Sequence, residues 1–246
     1  MLPAGERGLV VEMGNEISPQ INARVRRLAT SLSRDNLEGM IEVVPTYRSL
    51  LIYFDPLTLE RSDLVDSVER LIASETDLDI AERKEVRVVH VPVCYGGEFG
   101  PDLSYVAEHN GLSVQEVIAI HSSRPYLVYM LGFTPGFPYL GGMSERIATP
   151  RLEKPRAKIP RGSVGIAGEQ TGLYPVESPG GWRLIGRTPL NPFVPNSATP
   201  FLFSAGHYLR FIPISPGEYH DLRRAVEAGL FHPDIHLSRL EDDAGD

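Results

Sequence analysis

Residues 130–142 read MLGFTPGFPYLGG, residues 155–175 read PRAKIPRGSVGIAGEQTGLYP, and residues 178–189 read SPGGWRLIGRTP. From Met130 to Pro189, about a quarter of the chain, lie 11 of its 23 glycines and 8 of its 21 prolines. Such density marks linkers when the rest is polar. Here it is interleaved with Phe133, Phe137, Tyr139, Ile166, Tyr174, Trp182 and Ile185, which a disordered segment lacks. Short apolar runs closed by tight turns predict small strands at Tyr126–Leu131, Ser163–Ala167, Trp182–Arg187 and Tyr208–Pro213. That pattern belongs to an all-β barrel or sandwich.

Outward from this stretch, the pattern changes. Gly8–Met13, Met40–Val44 and Leu50–Phe54 read as strands. Ser18-Pro19 opens a helix with Ile21, Val25, Leu28 and Leu32 on one face, and Leu64, Val65, Val68, Leu71 and Ile72 form a second helical face. Glu85–Val93 alternates as a further strand, so the order is βαββαβ, the ferredoxin-like α/β sandwich. The glycine-rich YGGEFGPD of residues 95–102 then marks a boundary between residues 1–93 and 94–246, giving an α+β chain of two domains. Leu103–His109 reads as a helix, Ser113 with Glu116 caps a second, and Ser215-Pro216 with Glu218 caps the last. The tail LEDDAGD is acidic and reads as frayed.

Composition bounds the function. With 246 residues, 42% hydrophobic and 23% charged, the chain reads as a soluble globular protein. A net charge of −8 argues against nucleic acid as the main partner. The single cysteine, Cys94, excludes an intrachain disulfide and a cysteine zinc cluster, and reads as a buried or idle thiol. No apolar run has the length of a signal peptide core or membrane span, so a cytoplasmic location is expected.

Charge is unevenly placed. Arg151, Lys154, Arg156, Lys158, Arg161, Arg183 and Arg187 stand against Glu153, Glu169 and Glu177, so residues 151–187 carry +4 while the remainder carries −12. Pro155 and Pro160 among the cations suggest a stiff arm presenting charge to phosphate or carboxylate; a solvated basic loop is the other reading. Period two places Arg183 and Arg187 on one strand face, as a clamp would need. Gly162, Gly165 and Gly168 serve either as turn and packing residues or as ligand contacts, and no P-loop is present. His121 and His90 are the acid/base candidates, although a histidine ending a helix also serves as a charge–dipole contact. His232 and His236 are separated by Pro233, which breaks the helix a metal pair would need, so no metal site is expected. Phe133, Phe137, Tyr139 and Trp182 describe either a small-molecule pocket or a protein interface.

The three quoted stretches, with VVPTYRSLLIYFDP (43–56), VPVCYGGEFGPDL (91–103) and HSSRPYLVYMLGF (121–133), resemble the bacterial 5-oxoprolinase B-subunit family. That family is also called KipI or allophanate hydrolase subunit 1-like. The likeness runs from about Gly8 to Ile214; after Thr188 the chain departs from it with PLNPFVPNS, where family members often have a short apolar-Asp turn. The resemblance implies that the second domain is a cyclophilin-like β-barrel. It implies one component of an ATP-dependent lactam hydrolase that converts 5-oxo-L-proline to L-glutamate with the A and KipA-like C subunits of the same system, using ATP and Mg²⁺, and inactive alone. On this reading His121 is the catalytic candidate. Arg151, Arg156, Lys158, Arg161, Ser163, Gly165, Gln170, Arg183 and Arg187 would bind substrate or nucleotide. Phe133, Pro135, Phe137, Tyr139, Tyr174 and Trp182 would form the partner or pocket surface. The alternatives are an inhibitor of a sensor histidine kinase and an accessory half of a urea carboxylase-like system.

Overall fold

The structure, a computed structural model, describes residues 1–74, 86–231 and 233–238. His232 and the acidic tail from Leu240 lie outside the described residues. The chain divides into two compact units, Met1–Lys84 and Glu85–Asp246.

In the first unit, strands β1 (Leu2–Pro3), β2 (Gly8–Glu12), β3 (Met40–Pro45) and β4 (Ser49–Phe54) form an antiparallel sheet in the order β1-β2-β4-β3. Helix α1 (Pro19–Asp35) starts where expected, because the Ser18 hydroxyl accepts the Ile21 N–H at 3.2 Å and Pro19 needs no N–H partner. It ends at Asn36, in the left-handed region at φ +46°. Leu9, Val11, Leu50 and Ile52 of the sheet close one core with Val25, Leu28 and Leu32 of α1 and Leu64 and Val68 of α2 (Arg61–Ala73).

The expected sixth element of this sheet lies elsewhere. Val86–Tyr95 (β5) is the central strand of the second unit, and the short β1 stands beside β2 instead. Glu85 falls outside the described residues, and the boundary expected after Val93 falls inside β5. The physical reason is burial on both faces. Val89, Val91 and Val93 are sealed on one face and Val88 and Cys94 on the other, none above 5% exposed. VRVVHVPVCY is the near-continuous apolar run that a doubly covered strand requires.

The second unit's main sheet runs β10-β9-β12-β5-β13-β6-β7, with β14 (Ile235–Ser238) also paired to β5. Its strands are β6 (Tyr126–Gly132), β7 (Phe137–Gly141), β9 (Ser163–Ala167), β10 (Gln170–Leu173), β12 (Arg183–Arg187) and β13 (Tyr208–Ile214). Only β5 and β13 are parallel. The two ends of the sheet meet at Gly172, where a Cβ would lie 3.3 Å from the Phe137 ring, so the sheet curls into a nearly closed barrel. Its core includes Val89, Val91, Tyr126, Val128, Val164, Ile166, Leu173, Ile185 and Phe211. Helices α3 (Leu103–His109), α4 (Val114–Ser122) and α5 (Pro216–Glu227) accompany it; Ser113/Glu116 and Ser215/Glu218 form the expected capping boxes of α4 and α5. The basic segment is not a projecting arm: Arg156–Ile159 (β8) pairs with Ser178–Gly180 (β11) as a separate two-stranded ribbon. Among the described residues no helix is long and apolar enough to cross a membrane.

Candidate functional site

The face of β9, β10 and β12 turned away from the barrel core carries the site. Register puts Arg187 directly opposite Ser163 and Leu184 opposite Gly165, while Gly172 of β10 is opposite Gly165 on the other side. Over this face lies an aromatic cluster. Phe137 meets Phe133, Tyr139, Tyr174 and Trp182 edge-on, with centroids 5.4–5.6 Å apart, the arrangement that ring quadrupoles favour. Glycine is needed beneath it: a Cβ on Gly165 would lie 3.2 Å from Trp182 Cβ, and one on Gly180 would lie 2.4 Å from the Tyr174 hydroxyl oxygen. Burial pushes the Tyr174 phenol up to about 12, so it stays a neutral hydroxyl.

Polar atoms fringe this cluster without partners. Ser163 Oγ, Arg187 Nε, Thr134 Oγ1, Asn191 Oδ1 and Ser178 Oγ are buried with no hydrogen bond within the protein. Two of them are brought together by register, and the chain leads from these to two more. Ser163 and Arg187 face one another; Thr188 N–H donates to Gly162 O at 2.9 Å, drawing the segment after β12 past the Gly162-Ser163 turn. That segment continues to Asn191 and to Phe193, which lies against Gly136, two residues from Thr134. Buried polar groups are normally satisfied, so the opposed Arg187 Nε–H and Ser163 hydroxyl on one face are suited to an oxygen atom of a ligand. The sequence departure at PLNPFVPNS builds this rim: Val194 N–H donates to Pro200 O at 2.8 Å and Phe193 stacks on Phe201 at 5.2 Å, closing a loop.

The β6–β7 turn is strained at its tip. Phe133 has φ +60°, with Thr134 N–H reaching back to Gly132 O at 2.6 Å, and its ring is 67% exposed. A bulky residue in the left-handed region is an outlier that invites a functional reading. The next step relaxes: Pro135 and Gly136 (φ +81°) occupy the centre of a turn closed by Phe137 N–H to Thr134 O at 3.0 Å, the pattern of a type II turn.

Several expected site residues stand elsewhere. His121 is fully buried, stacked on Phe211 at 4.5 Å. Thr171 donates to Gly165 O at 3.1 Å, so its oxygen accepts His121 Nε2–H at 2.7 Å, and His121 Nδ1 accepts the Tyr95 hydroxyl at 2.7 Å. Burial depresses its pKa to about 3. A neutral, doubly bonded imidazole in the core offers no nitrogen to a substrate, which corrects the expected catalytic role. Arg183 and Arg187 do not share a face. Ile185 is an extra residue between Leu184 and Gly186 in the ladder, so Arg183 pairs with Ile166 and Arg187 with Ser163, three apart on β9 and thus on opposite sides. Arg183 lies over the Tyr105 ring at 3.7 Å and donates to Pro150 O.

The other cations are also dispersed. Arg156 Nη2 donates to Asp102 Oδ1 at 2.8 Å, while Asp102 Oδ2 accepts the Leu184 N–H at 2.7 Å, a structural clasp. Lys158 pairs with Glu177 at 3.1 Å in solvent. Arg161 feels Arg223 and Glu227 of α5, and burial lowers its pKa. Arg151 and Pro135 are exposed, and Gln170 opens β10 opposite Ala167. The expected aromatic surface is mostly interior: Phe137 and Tyr174 are 3% and 2% exposed, Tyr139 and Trp182 are half-buried, and Phe133 alone projects.

Residues 1–203 match the family described as carboxyltransferase domain, subdomain C and D. The 5-oxoprolinase B subunit of Bacillus subtilis (strain 168) is 48% identical over 224 residues, 88% of this chain and 93% of that protein. The chain belongs to the 5-oxoprolinase B-subunit family. The crystal structure of TTHA0988 is similar with a TM-score of 0.76 at 37% identity, covering 85% of this chain and 40% of that one. The K. lactis urea amidolyase matches 96% of this chain and 16% of its own at a TM-score of 0.76 and 23% identity, which shows a shared fold. Within the family frame, sequence reading missed Thr134 and Asn191. Each is an ordinary polar residue beside a proline, and only the packing of Gly136 on the 192–193 segment brings their loops together.

Proposed function

We propose that this chain is the B subunit of a 5-oxoprolinase that opens 5-oxo-L-proline to L-glutamate with ATP, in a complex with the A and KipA-like C subunits, and that it is inactive alone. The observation that carries this is the 48% identity to a 5-oxoprolinase B subunit over nearly the whole of both chains. On this reading the second unit is the cyclophilin-like barrel, the first is a variant of the ferredoxin-like sandwich without its sixth element, and the location is cytoplasmic. Lactam opening needs carbonyl activation, which phosphorylation of the amide oxygen by ATP supplies before water attacks. The opposed Arg187 Nε and Ser163 Oγ fit an anionic oxygen of the nucleotide or the substrate carboxylate. The carboxylates paired with the basic ribbon, Asp102 and Glu177, are each committed to a cation, so Mg²⁺ fits as a companion of the nucleotide rather than a ligand of these two residues. Phe133, exposed on its strained turn beside the site, is the contact offered to the partner protein.

Glutamate release from 5-oxoproline and ATP by the three purified subunits tests this. Omitting this chain should abolish release, Arg187→Ala should lower kcat/KM at least ~10-fold, and Phe133→Gly should weaken co-elution with the C subunit. Undiminished release without this chain removes the proposal; full activity of the Arg187 variant removes only the site. The kinase-inhibitor reading would rest on Phe133, Phe137 and Trp182; Phe137 is interior and Trp182 half-buried, which leaves Phe133 as the ring exposed to a proline segment.

A further inference from the structure

On β5 and β14 the structure joins His90 to Asp234 and His236, metal-capable side chains that lie 144 or more residues further along the chain. β14 pairs antiparallel with β5, with His236 opposite Val88 and Ile235 opposite Val89. His90 N–H donates to Asp234 O at 3.0 Å, so Asp234 stands opposite His90. Period two then puts His90, Asp234 and His236 on one face of the ladder. The Asp234 carboxylate bridges the imidazoles, 3.1 Å from His90 Nδ1 and 2.8 Å from His236 Nε2. The two rings are 4.6 Å apart, and one donor atom from each of the three residues lies within 4.8 Å of the others.

We infer that His90, Asp234 and His236 form a binding site for a divalent transition-metal ion of the Zn²⁺ type. Four-coordinate Zn²⁺ with bonds near 2.0–2.1 Å holds its ligand atoms roughly 3.3 Å apart. The carboxylate–imidazole pairs, 3.1 Å to Oδ2 and 2.8 Å to Oδ1, stand close to that spacing, and rotation of the exposed Asp234 and His236 side chains would bring one oxygen and both imidazoles to it. Two nitrogens and one carboxylate oxygen select zinc, nickel, cobalt or copper over magnesium or calcium. Neutral imidazoles and one carboxylate leave a bound dication with net positive charge and room for water. The cation nearest His90 by register, Arg210, is directed away, its guanidinium donating to the Ser122 and Ser123 carbonyls. Such an ion would tie β14 to the central strand of the barrel.

The test uses untagged full-length protein stripped with EDTA and titrated calorimetrically with ZnSO₄. One saturable site per chain is expected, with a raised thermal midpoint. Binding should weaken at least ~10-fold in His90→Gln and in His236→Gln and stay unchanged in His220→Gln. Non-saturating uptake, or a site that survives both variants unaltered, overturns the inference. Should a variant fail to fold, Co²⁺ added to the unaltered protein decides: an intense visible band of tetrahedral cobalt supports the site, and the weak spectrum of hydrated octahedral cobalt overturns it.

Discussion

His121 shows how a residue that reads as chemistry becomes structure. Its helix-terminal position and near-neutral ordinary pKa make it an acid/base candidate, yet the chain Tyr95–His121–Thr171–Gly165 uses both ring nitrogens in the neutral form. That arrangement has a pH signature. In the folded chain the imidazole resists protonation down to about pH 3, against 6.5 for an ordinary histidine. Between those values the unfolded chain binds the extra proton, so stability is complete above pH 6.5 and falls as pH is lowered, by up to ~1.4 kcal/mol per pH unit. Urea midpoints between pH 7 and pH 5 should therefore drop more steeply for the parent than for His121→Gln. Equal slopes in the two proteins would assign the acid sensitivity elsewhere. Nothing in the sequence near His121 announces this, because Thr171 lies 50 residues away.

At the scale of elements, the β12 bulge and the Asp102 clasp decide how charge is used. One extra residue, Ile185, sends Arg183 to the Tyr105 ring and leaves Arg187 opposite Ser163. Asp102 meanwhile behaves as a strand neighbour of Leu184, with its N–H on Leu184 O at 2.9 Å and its carboxylate taking the Leu184 N–H and Arg156. The connector before it is tight: a Cβ on Gly100 would lie 2.0 Å from Ile185 O. Glycine density thus marks close packing here and not the boundary that composition alone suggests. Asp102→Ala should cost about 2–4 kcal/mol in urea unfolding, because a buried N–H and a part-buried guanidinium lose their partner together. A loss below ~0.5 kcal/mol would place the clasp among exposed pairs of little worth, as Lys158–Glu177 is expected to be.

For the whole molecule, two separate cores make a prediction that one fluorophore can read. The only tryptophan, Trp182, belongs to the second unit, whereas Leu28 is fully packed in the core of the first. Leu28→Ala should lower the stability of the first unit by about 2–5 kcal/mol. Far-UV circular dichroism would then show an early transition that Trp182 fluorescence does not follow; coincident shifts would mean that the units unfold as one. The sequence by itself determined what depends on a few neighbouring residues: the helix starts at Ser18, Ser113 and Ser215, the strand at Ser163–Ala167, the aromatic and glycine content of the barrel segment, and the family to which the motifs point. Tertiary structure alone decided that β5 centres the second sheet, that Ile185 splits the two arginines, and that Asp234 meets His90 across 144 residues. Capping and alternation are settled within a turn or a strand, whereas strand partners and bulges are chosen by which apolar faces can be buried together, a contest among distant segments.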